Sequence, residues 1–381
     1  MDFSIVIPTW NRSELVQELL SSLFEDRKDY TGGKTEVLVV DSSIGEEQAV
    51  IQKACQDFDA RYIEGDSSVR KKRNLGIWTA QYDMILFIDS DVKVKKGLLA
   101  SYEKAWEHYR KTYPGMKIGG ILGYTEFTGK RSFWWRMLEQ TSLVNSFSFA
   151  KLYPFQSWTI GNNVSYRKDV LFEIGLFEEN FPFRLGGDDL DLSYRVTKAG
   201  YRIGSCPEAV TFHSRKTWNN AHAIHDRAKR WGTMEWYINK RHPELDRRVI
   251  PKNYVLMTPV ILLSLLLTAL TGNSVPLFTA LVWLLFEIVF SYLKCLLGGH
   301  PTDPVCFFGA RIIEAQYEFY RIKMSLSKKS LRVFTHGQVF SRMQIRYGTG
   351  AETKRVEELL FSYTAILMAV LALVRFVPSL H

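Results

Sequence analysis

Leu86-Phe87-Ile88-Asp89-Ser90-Asp91-Val92-Lys93-Val94 is the stretch on which the fold turns. Met84 to Ile88 is an unbroken apolar run, the pattern of a strand buried on both faces of a sheet. It stops at two carboxylates one residue apart. At a strand tip the chain is already leaving the sheet, so both acids can serve one place. Two such aspartates repel unless a cation neutralises them, and a hard, oxygen-seeking metal such as Mg²⁺ or Mn²⁺ meets that need. An ion held by one or two carboxylates completes its shell with phosphate oxygens and water. A strand ending in an Asp-rich turn gives the same letters without chemistry, because Asp and Ser are ordinary turn residues. The neighbouring sequence has to separate the two.

Upstream, Phe3 to Ile7 is a β-type run ending at Pro8-Thr9-Trp10-Asn11-Arg12. Ser13 is placed to cap a helix with Leu15, Leu19, Leu20 and Leu23 on one face. Val37 to Val40 is a second buried strand, stopping at Asp41-Ser42-Ser43. A helix over Glu46 to Asp57, a strand over Arg61 to Ile63 and a basic helix over Val69 to Ala80 then lead to the opening strand. Strands alternating with helices predict a parallel, doubly wound α/β sheet with ligands at the carboxyl ends of its strands. Three strands end at polar or acidic residues, Thr9, Asp41 and Asp89, so their tips should line one crevice.

Downstream, Lys96 to Tyr113 reads as a helix, and Ile118 to Leu122 and Tyr124 to Phe127 as strands. Arg131 to Trp158 is rich in aromatics, which can pack a core, stack on sugars or rest at a membrane interface. Core packing accounts for most of them, with Trp134-Trp135-Arg136 set apart as the exception. Gly161-Asn162-Asn163 follows, then a helix over Lys168 to Ile174. Gly186-Gly187-Asp188-Asp189-Leu190-Asp191-Leu192 opens another helix. Acids at a helix start cap free N–H groups, but three acids behind two glycines exceed what a cap requires. Ala209 to Phe212 is a further strand with His213 at its tip, where an imidazole can ligate a metal.

The chain has 381 residues, a net charge of +9 and a pI near 9.2. That charge suits nucleic acid, an anionic membrane or a phosphorylated substrate; no nucleic-acid module is found, so nucleic acid is not an expected partner. Cys55, Cys206, Cys295 and Cys306 are widely spaced and predict neither a disulfide framework nor a zinc site. The opening residues do not read as a signal peptide.

From residue 251 the composition changes, dividing the chain into 1–250 and 251–381. Three apolar stretches, about 254–271, 275–297 and 359–378, approach the roughly 20 residues that cross a bilayer as a helix. Arg241, Arg247, Arg248 and Lys252 precede the first, and segment 298–358 is rich in Lys and Arg, whereas the short link between the first two has neither. The positive-inside rule then puts residues 1–250 and 298–358 on the cytoplasmic side of an integral membrane protein. Phe307 to Leu326 has apolar and basic faces and is expected either along the membrane surface or against the first domain. Glu287 inside the second stretch should face protein rather than lipid.

Taken together, these motifs resemble the family 2 glycosyltransferases of GT-A fold, over about residues 2–220. Ser4 to Arg12, with Pro8, Thr9, Asn11 and Arg12, is similar to the family's first strand and nucleotide loop. Asp41 matches the aspartate that bonds the nucleobase, and Arg73-Asn74-Leu75-Gly76 the helix near the nucleotide. Asp89-Ser90-Asp91 matches the metal-binding Asp-x-Asp. Gly161-Asn162-Asn163 resembles the sugar and acceptor loop, and Gly187 to Leu192 the acidic motif containing the general base. Asp188 stands where the family usually has Glu. Arg227-Ala228-Lys229-Arg230-Trp231 has Arg where processive synthases carry Gln, which disfavours processivity.

The resemblance implies a transferase moving a sugar from a UDP- or GDP-sugar, assisted by Mn²⁺ or Mg²⁺, with inversion. Asp189 would be the base, Asp91 with Asp89 and His213 would hold the metal, and Asp89 would also face the ribose. Gly161, Asn162, Asn163, Asp188, Trp134 and Trp135 would meet sugar or acceptor, with Arg73 and Lys71 or Lys72 offsetting phosphate charge. The membrane stretches imply a lipid-linked, polyprenyl-type glycan acceptor. Two alternatives stay open: a polyprenyl-phosphate glycosyl synthase, whose anionic acceptor needs no base, and a non-catalytic membrane scaffold that binds sugar nucleotides or lipid.

Overall fold

A computed structural model describes residues 1–182, 186–248, 253–297, 303–334 and 336–338. Among them the chain divides into two compact units, one comprising Met1–Trp135 and Ser142–Ile224, the other Arg136–Thr141 and the described residues from His225 onward.

The first unit begins with β1 (Phe3–Thr9), α1 (Ser13–Asp29), β2 (Thr35–Asp41), α2 (Glu46–Asp57), β3 (Arg61–Glu64), α3 (Val69–Thr79) and β4 (Met84–Ile88). The order β3-β2-β1-β4 is parallel throughout. Alternate residues feed two cores. Phe3, Ile5 and Ile7 of β1, Val37 and Val39 of β2 and Leu86 and Ile88 of β4 join one; Val6, Leu38, Ile85 and Phe87 join the other. Strand side chains point to opposite faces at period two, so a continuous apolar run is what a sheet covered on both sides requires.

The chain continues through β5 (Val92–Val94), α4 (Leu98–Thr112), β6 (Ile118–Thr128), α5 (Phe133–Leu138), α6 (Phe149–Leu152), β7 (Phe155–Gln156), β8 (Asn163–Arg167), α7 (Lys168–Glu173), α8 (Asp188–Lys198) and β9 (Arg202–Ser214). Here the sheet, expected to be mostly parallel, takes in antiparallel strands. β8 is antiparallel to both β4 and β6, and β5 and β7 are antiparallel to β9, so the sheet is mixed. The reversal serves the site: Ile88 pairs with Asn163, which brings the start of β8 to the tip of β4. The two strands expected at 118–127 are one, with a register shift between Gly123 and Tyr124. Ser13 is the first helical residue of α1 rather than its cap; its N–H is met by Glu47.

The second unit holds most of α9 (Ala221–Arg241), then β10 (Asp246–Arg248), α10 (Asn253–Thr271), α11 (Val275–Leu297), α12 (Pro304–Ser327) and β11 (His336–Gln338). α10 and α11 occupy the first two apolar stretches and bear exposed Leu262, Leu263, Leu266, Leu270, Phe278, Leu285 and Phe286. Among the described residues, however, no helix is long and apolar enough to cross a membrane, contrary to the expectation of spans. The side chain of Glu287 and the third stretch, 359–378, lie outside the described residues.

α12 turns several of its charges inward. It buries Glu314, Glu318 and Arg321. Arg321 joins Glu318 at 2.7 Å and Glu235 of α9 at 3.3 Å, and Tyr317 donates to Glu235 at 2.7 Å. The helices cross closely at Gly232, where a Cβ would lie 2.2 Å from the Tyr317 carbonyl oxygen.

Candidate active site

The tips of β1, β2 and β4, the start of β8 and the N-terminus of α8 converge in the first unit. α3 is drawn against β1 because Gly76 has no side chain: a Cβ there would meet Val6 Cγ1 at 2.3 Å. That close approach sets Arg70 and Arg73, one helical turn apart, under the strand tips. Both are buried.

Arg73 is the hub. Its guanidinium reaches Asp188 at 2.6 Å, Asp89 at 3.0 Å and the Gly161 carbonyl oxygen at 3.3 Å. Burial works against its charge, yet Asp188, Asp89 and Asp189 together hold its pKa above the usual range. Arg70 approaches Asp188 at 3.8 Å and donates to the Gly186 carbonyl. Gly186 and Gly187 both have φ near +78°, which a side chain would resist. They turn the chain so that α8 opens with its acids against α3.

Asp189 follows Asp188 and is half-buried. Its Oδ2 accepts the Gly161 N–H at 3.1 Å and its Oδ1 the Leu190 N–H at 2.9 Å. Loss of water contact, then the neighbouring Asp188 charge, push its carboxyl up to about 6. The Gly161 peptide thus touches both groups, its oxygen on Arg73 and its nitrogen on Asp189. Asp191 of the same acidic run is different: it is fully buried and held by Arg195 at 2.8 Å. Its role is to fasten α8.

The two aspartates of the opening motif are each held by an arginine. Asp89, with a third of its side chain open, pairs with Arg73, and burial raises its pKa. Asp91 is buried; Arg12 meets its Oδ2 at 3.0 Å, Thr217 lies on the same oxygen at 3.4 Å, and His213 Nε2 faces Oδ1 at 3.4 Å. His213 is packed among Phe127, Phe147 and Trp218. The expected three-ligand metal centre is therefore not assembled: Asp89 is turned to Arg73, and among the described residues no group of three such side chains could hold a metal. Asp91 and His213 remain as an oxygen and a nitrogen donor side by side.

Asp41 is wholly buried at the tip of β2. Oδ1 accepts the Ser43 N–H and hydroxyl, and Oδ2 accepts the Tyr62 hydroxyl at 3.2 Å. The Asn11 N–H binds the Ser43 hydroxyl, with Asn11 itself at φ 48°. Pro8 is buried beside Val40. Lys72 lies beneath this loop and donates to the Thr9 carbonyl; burial lowers its pKa to about 8. Lys71, by contrast, is exposed and paired with Asp66.

Several expected contacts go elsewhere. Asn74 spends its amide on the 177–179 loop, with Phe177 and Glu179. Asn163 is fully buried and satisfied by Tyr102, Tyr124 and Ala209, because it is the first residue of an interior strand. Trp135 is core, packed on Phe127 and Trp218, while Trp134 is 38% exposed. Arg70, Ser43, Tyr62 and Thr217 were not anticipated; only Arg70 left a signal, its spacing of three from Arg73. Four buried polar atoms at the strand tips have no protein partner: Thr9 Oγ1, Ser42 Oγ, Arg73 Nε and Asn162 Nδ2. Buried polar atoms are nearly always paired, so this cluster fits a polar ligand rather than a closed core.

Comparison with known proteins agrees. Residues 4–172 match the family described as Glycosyl transferase family 2, a match that ends before Asp188, Asp189 and His213. Chondroitin synthase of Escherichia coli is 26% identical over 246 residues, 55% of this chain and 34% of that one. Poly(ribitol-phosphate) beta-N-acetylglucosaminyltransferase TarS of Staphylococcus aureus is 26% identical over 127 residues, 32% of this chain and 22% of that one. The chain thus spans about a third or less of these relatives' length. Among solved structures, the mannosyltransferase PcManGT of Pyrobaculum calidifontis, in complex with GDP-Man and Mn²⁺, aligns over 87% of this chain and 85% of its own. Its identity is 17% and its TM-score 0.46. Residues 4–172 of this mixed α/β chain are thus similar to Glycosyl transferase family 2.

Proposed function

We propose that this protein is a membrane-attached, inverting glycosyltransferase. It moves a sugar from a UDP- or GDP-sugar to a hydroxyl of a glycan carried on a polyprenyl-type lipid. The observation that carries the reading is Asp189, a half-buried carboxylate with its pKa near 6, pinned by the Gly161 N–H at the rim of the arginine-lined strand tips.

The acceptor hydroxyl gives its proton to Asp189 as its oxygen attacks the anomeric carbon. The bond from that carbon to the diphosphate breaks, and its electron pair leaves on the β-phosphate. One base and one displacement imply inversion. A base near pKa 6 is ionised at neutral pH yet strong enough to help. Arg12, Arg73 and Lys72 supply positive charge where the nucleotide's phosphates arrive. Thr9, Ser42 and Asn162 have hydrogen-bonding capacity to spare for the donor.

A divalent ion fits as a site completed by substrate. Asp91 Oδ1 and His213 Nε2 are donors suited to Mn²⁺ or Mg²⁺, and such ions commonly take one or two protein ligands with phosphate and water. Bound there, the ion would offset the charge of the departing diphosphate. Arg12, now on the other Asp91 oxygen, would turn to the phosphates.

Trp134 and Asp188 bound the acceptor side. The exposed apolar faces of α10 and α11 support attachment to a membrane, and the flanking basic residues support a cytoplasmic catalytic unit. Relatives named for chondroitin and poly(ribitol-phosphate) favour a sugar-containing polymer as acceptor.

The test is calorimetry of the full chain against UDP- and GDP-sugars with Mn²⁺, followed by nucleoside diphosphate release on adding polyprenyl-linked glycan. One donor class should bind, and release should require the acceptor. Binding without release for every acceptor tried would leave a scaffold, not an enzyme. A phosphate-linked product would make the acceptor a polyprenyl phosphate.

A further inference from the structure

α12 is apolar outward as well as inward. Among its exposed positions are Val305, Phe308, Ile312, Ala315, Phe319, Lys323 and Leu326, spaced by three or four residues along one face. That face carries no charge for its first five positions. Ile312 is 61% and Phe319 57% exposed. The opposite face buries Cys306, Phe307, Ala310 and Ile313 together with Glu314, Glu318 and Arg321; Glu314 pairs with Arg311 of the same helix, and Arg321 with Glu318 and with Glu235 of α9. A helix bordering water keeps its outer face polar.

Two features say what covers the outer face. Tyr292 of α11 meets Phe307 edge-on at 5.3 Å and stacks on Phe308 of the stripe at 6.2 Å, which joins α12 to a helix bearing exposed Leu285, Val289 and Leu293. At its other end the stripe runs into exposed Lys323, with exposed Lys329 just past the helix end. An apolar face ending in lysines is complementary to an anionic lipid surface: hydrocarbon under the stripe, headgroups at the lysines.

We propose that α12 lies in the plane of an anionic membrane, with its Val305-to-Leu326 face sunk to the level of the acyl chains. This deepens the membrane reading given above and rests on it. The buried Arg321–Glu235–Glu318 network then has a purpose, since it fixes α12 to α9 and dictates which face is left for lipid.

The test uses the full chain on vesicles of phosphatidylcholine with or without phosphatidylglycerol. Fluorophores are placed singly through Ile312→Cys and Phe319→Cys on α12, Leu285→Cys on α11 and Lys104→Cys in the first unit. On anionic vesicles, labels at 312 and 319 should be quenched by nitroxide-bearing lipid and shielded at least fivefold from aqueous iodide relative to 104. Omitting phosphatidylglycerol should weaken lipid quenching at 312. Iodide access at 312 and 319 equal to that at 104 overturns the proposal. So does shielding from both quenchers, which means that protein covers the stripe. Quenching by lipid at 285 but not at 312 or 319 removes this proposal and leaves the membrane reading standing; lack of it at all three removes both.

Discussion

Replacing Arg73 by methionine tests the electrostatic frame of the site. Arg73 is 5% exposed and Asp188 7%, and they meet at 2.6 Å, with Asp89 on the same guanidinium at 3.0 Å. Methionine keeps much of the volume but leaves two carboxylates without their main partner. Arg70 cannot compensate, because it already lies 3.8 Å from Asp188 and donates to the Pro182 and Gly186 carbonyl oxygens. Breaking a buried pair by removing one member costs about 3–5 kcal/mol. For a unit of this size, ~2–4 °C of melting temperature is lost per kcal/mol, so the loss should be roughly 6–20 °C at pH 8. The pH dependence has a definite sign. Asp89 is already raised by burial and Arg73 is what lowers it most, so without Arg73 protonation relieves the buried charge and the deficit should shrink toward pH 5. Thermal denaturation of both proteins at pH 8 and pH 5 measures this. A loss below about 1 kcal/mol at pH 8, or a deficit that grows on acidification, would refute the reasoning.

Three further outcomes follow from the same geometry. With Asp189 as a base at pKa about 6, turnover should be flat above pH 7 and fall toward tenfold per unit below pH 6, as the carboxylate protonates; a pH–rate profile without an acid limb between 5 and 7 would exclude that role. Thr9→Val removes an orphaned hydroxyl, so stability should stay level or rise, while nucleotide-sugar affinity drops about fivefold for ~1 kcal/mol of lost hydrogen bond, read by melting curves and calorimetry. Asp191→Asn breaks the Arg195 pair and should lower stability by about 2–4 kcal/mol, yet leave turnover per folded molecule within about twofold.

The sheet and its tips were legible because the residues at issue obey local rules. β1, β2 and β4 are continuous apolar runs, and period-two alternation into two cores leaves no other arrangement. Strand direction is not a local property. Val164-Ser165-Tyr166 alternates like any strand, and nothing in it says that β8 runs against β4, yet that reversal places Gly161 between Arg73 and Asp189. Roles were harder still. Asn74 and Asn163 have the residue types of ligand contacts, but their environments consume every hydrogen bond they can make. Asp188, Asp189 and Asp191 share one helix start, but their partners differ: Arg73, the Gly161 N–H and Arg195. The packing of α12 is likewise not a local property. Its amphipathic pattern was visible, but which face turns inward depends on Glu235 and Gly232, some ninety residues away.

The central claim is that Asp189 takes the acceptor's proton, and Asp189→Asn tests it most directly. Asparagine keeps the shape and can still accept the Gly161 N–H, but it cannot take a proton. Single-turnover transfer should fall by at least 10²-fold, with nucleotide-sugar affinity, measured by calorimetry on the same preparation, unchanged within about twofold. Transfer at the parent rate, or loss of donor binding in step with transfer, would contradict the account.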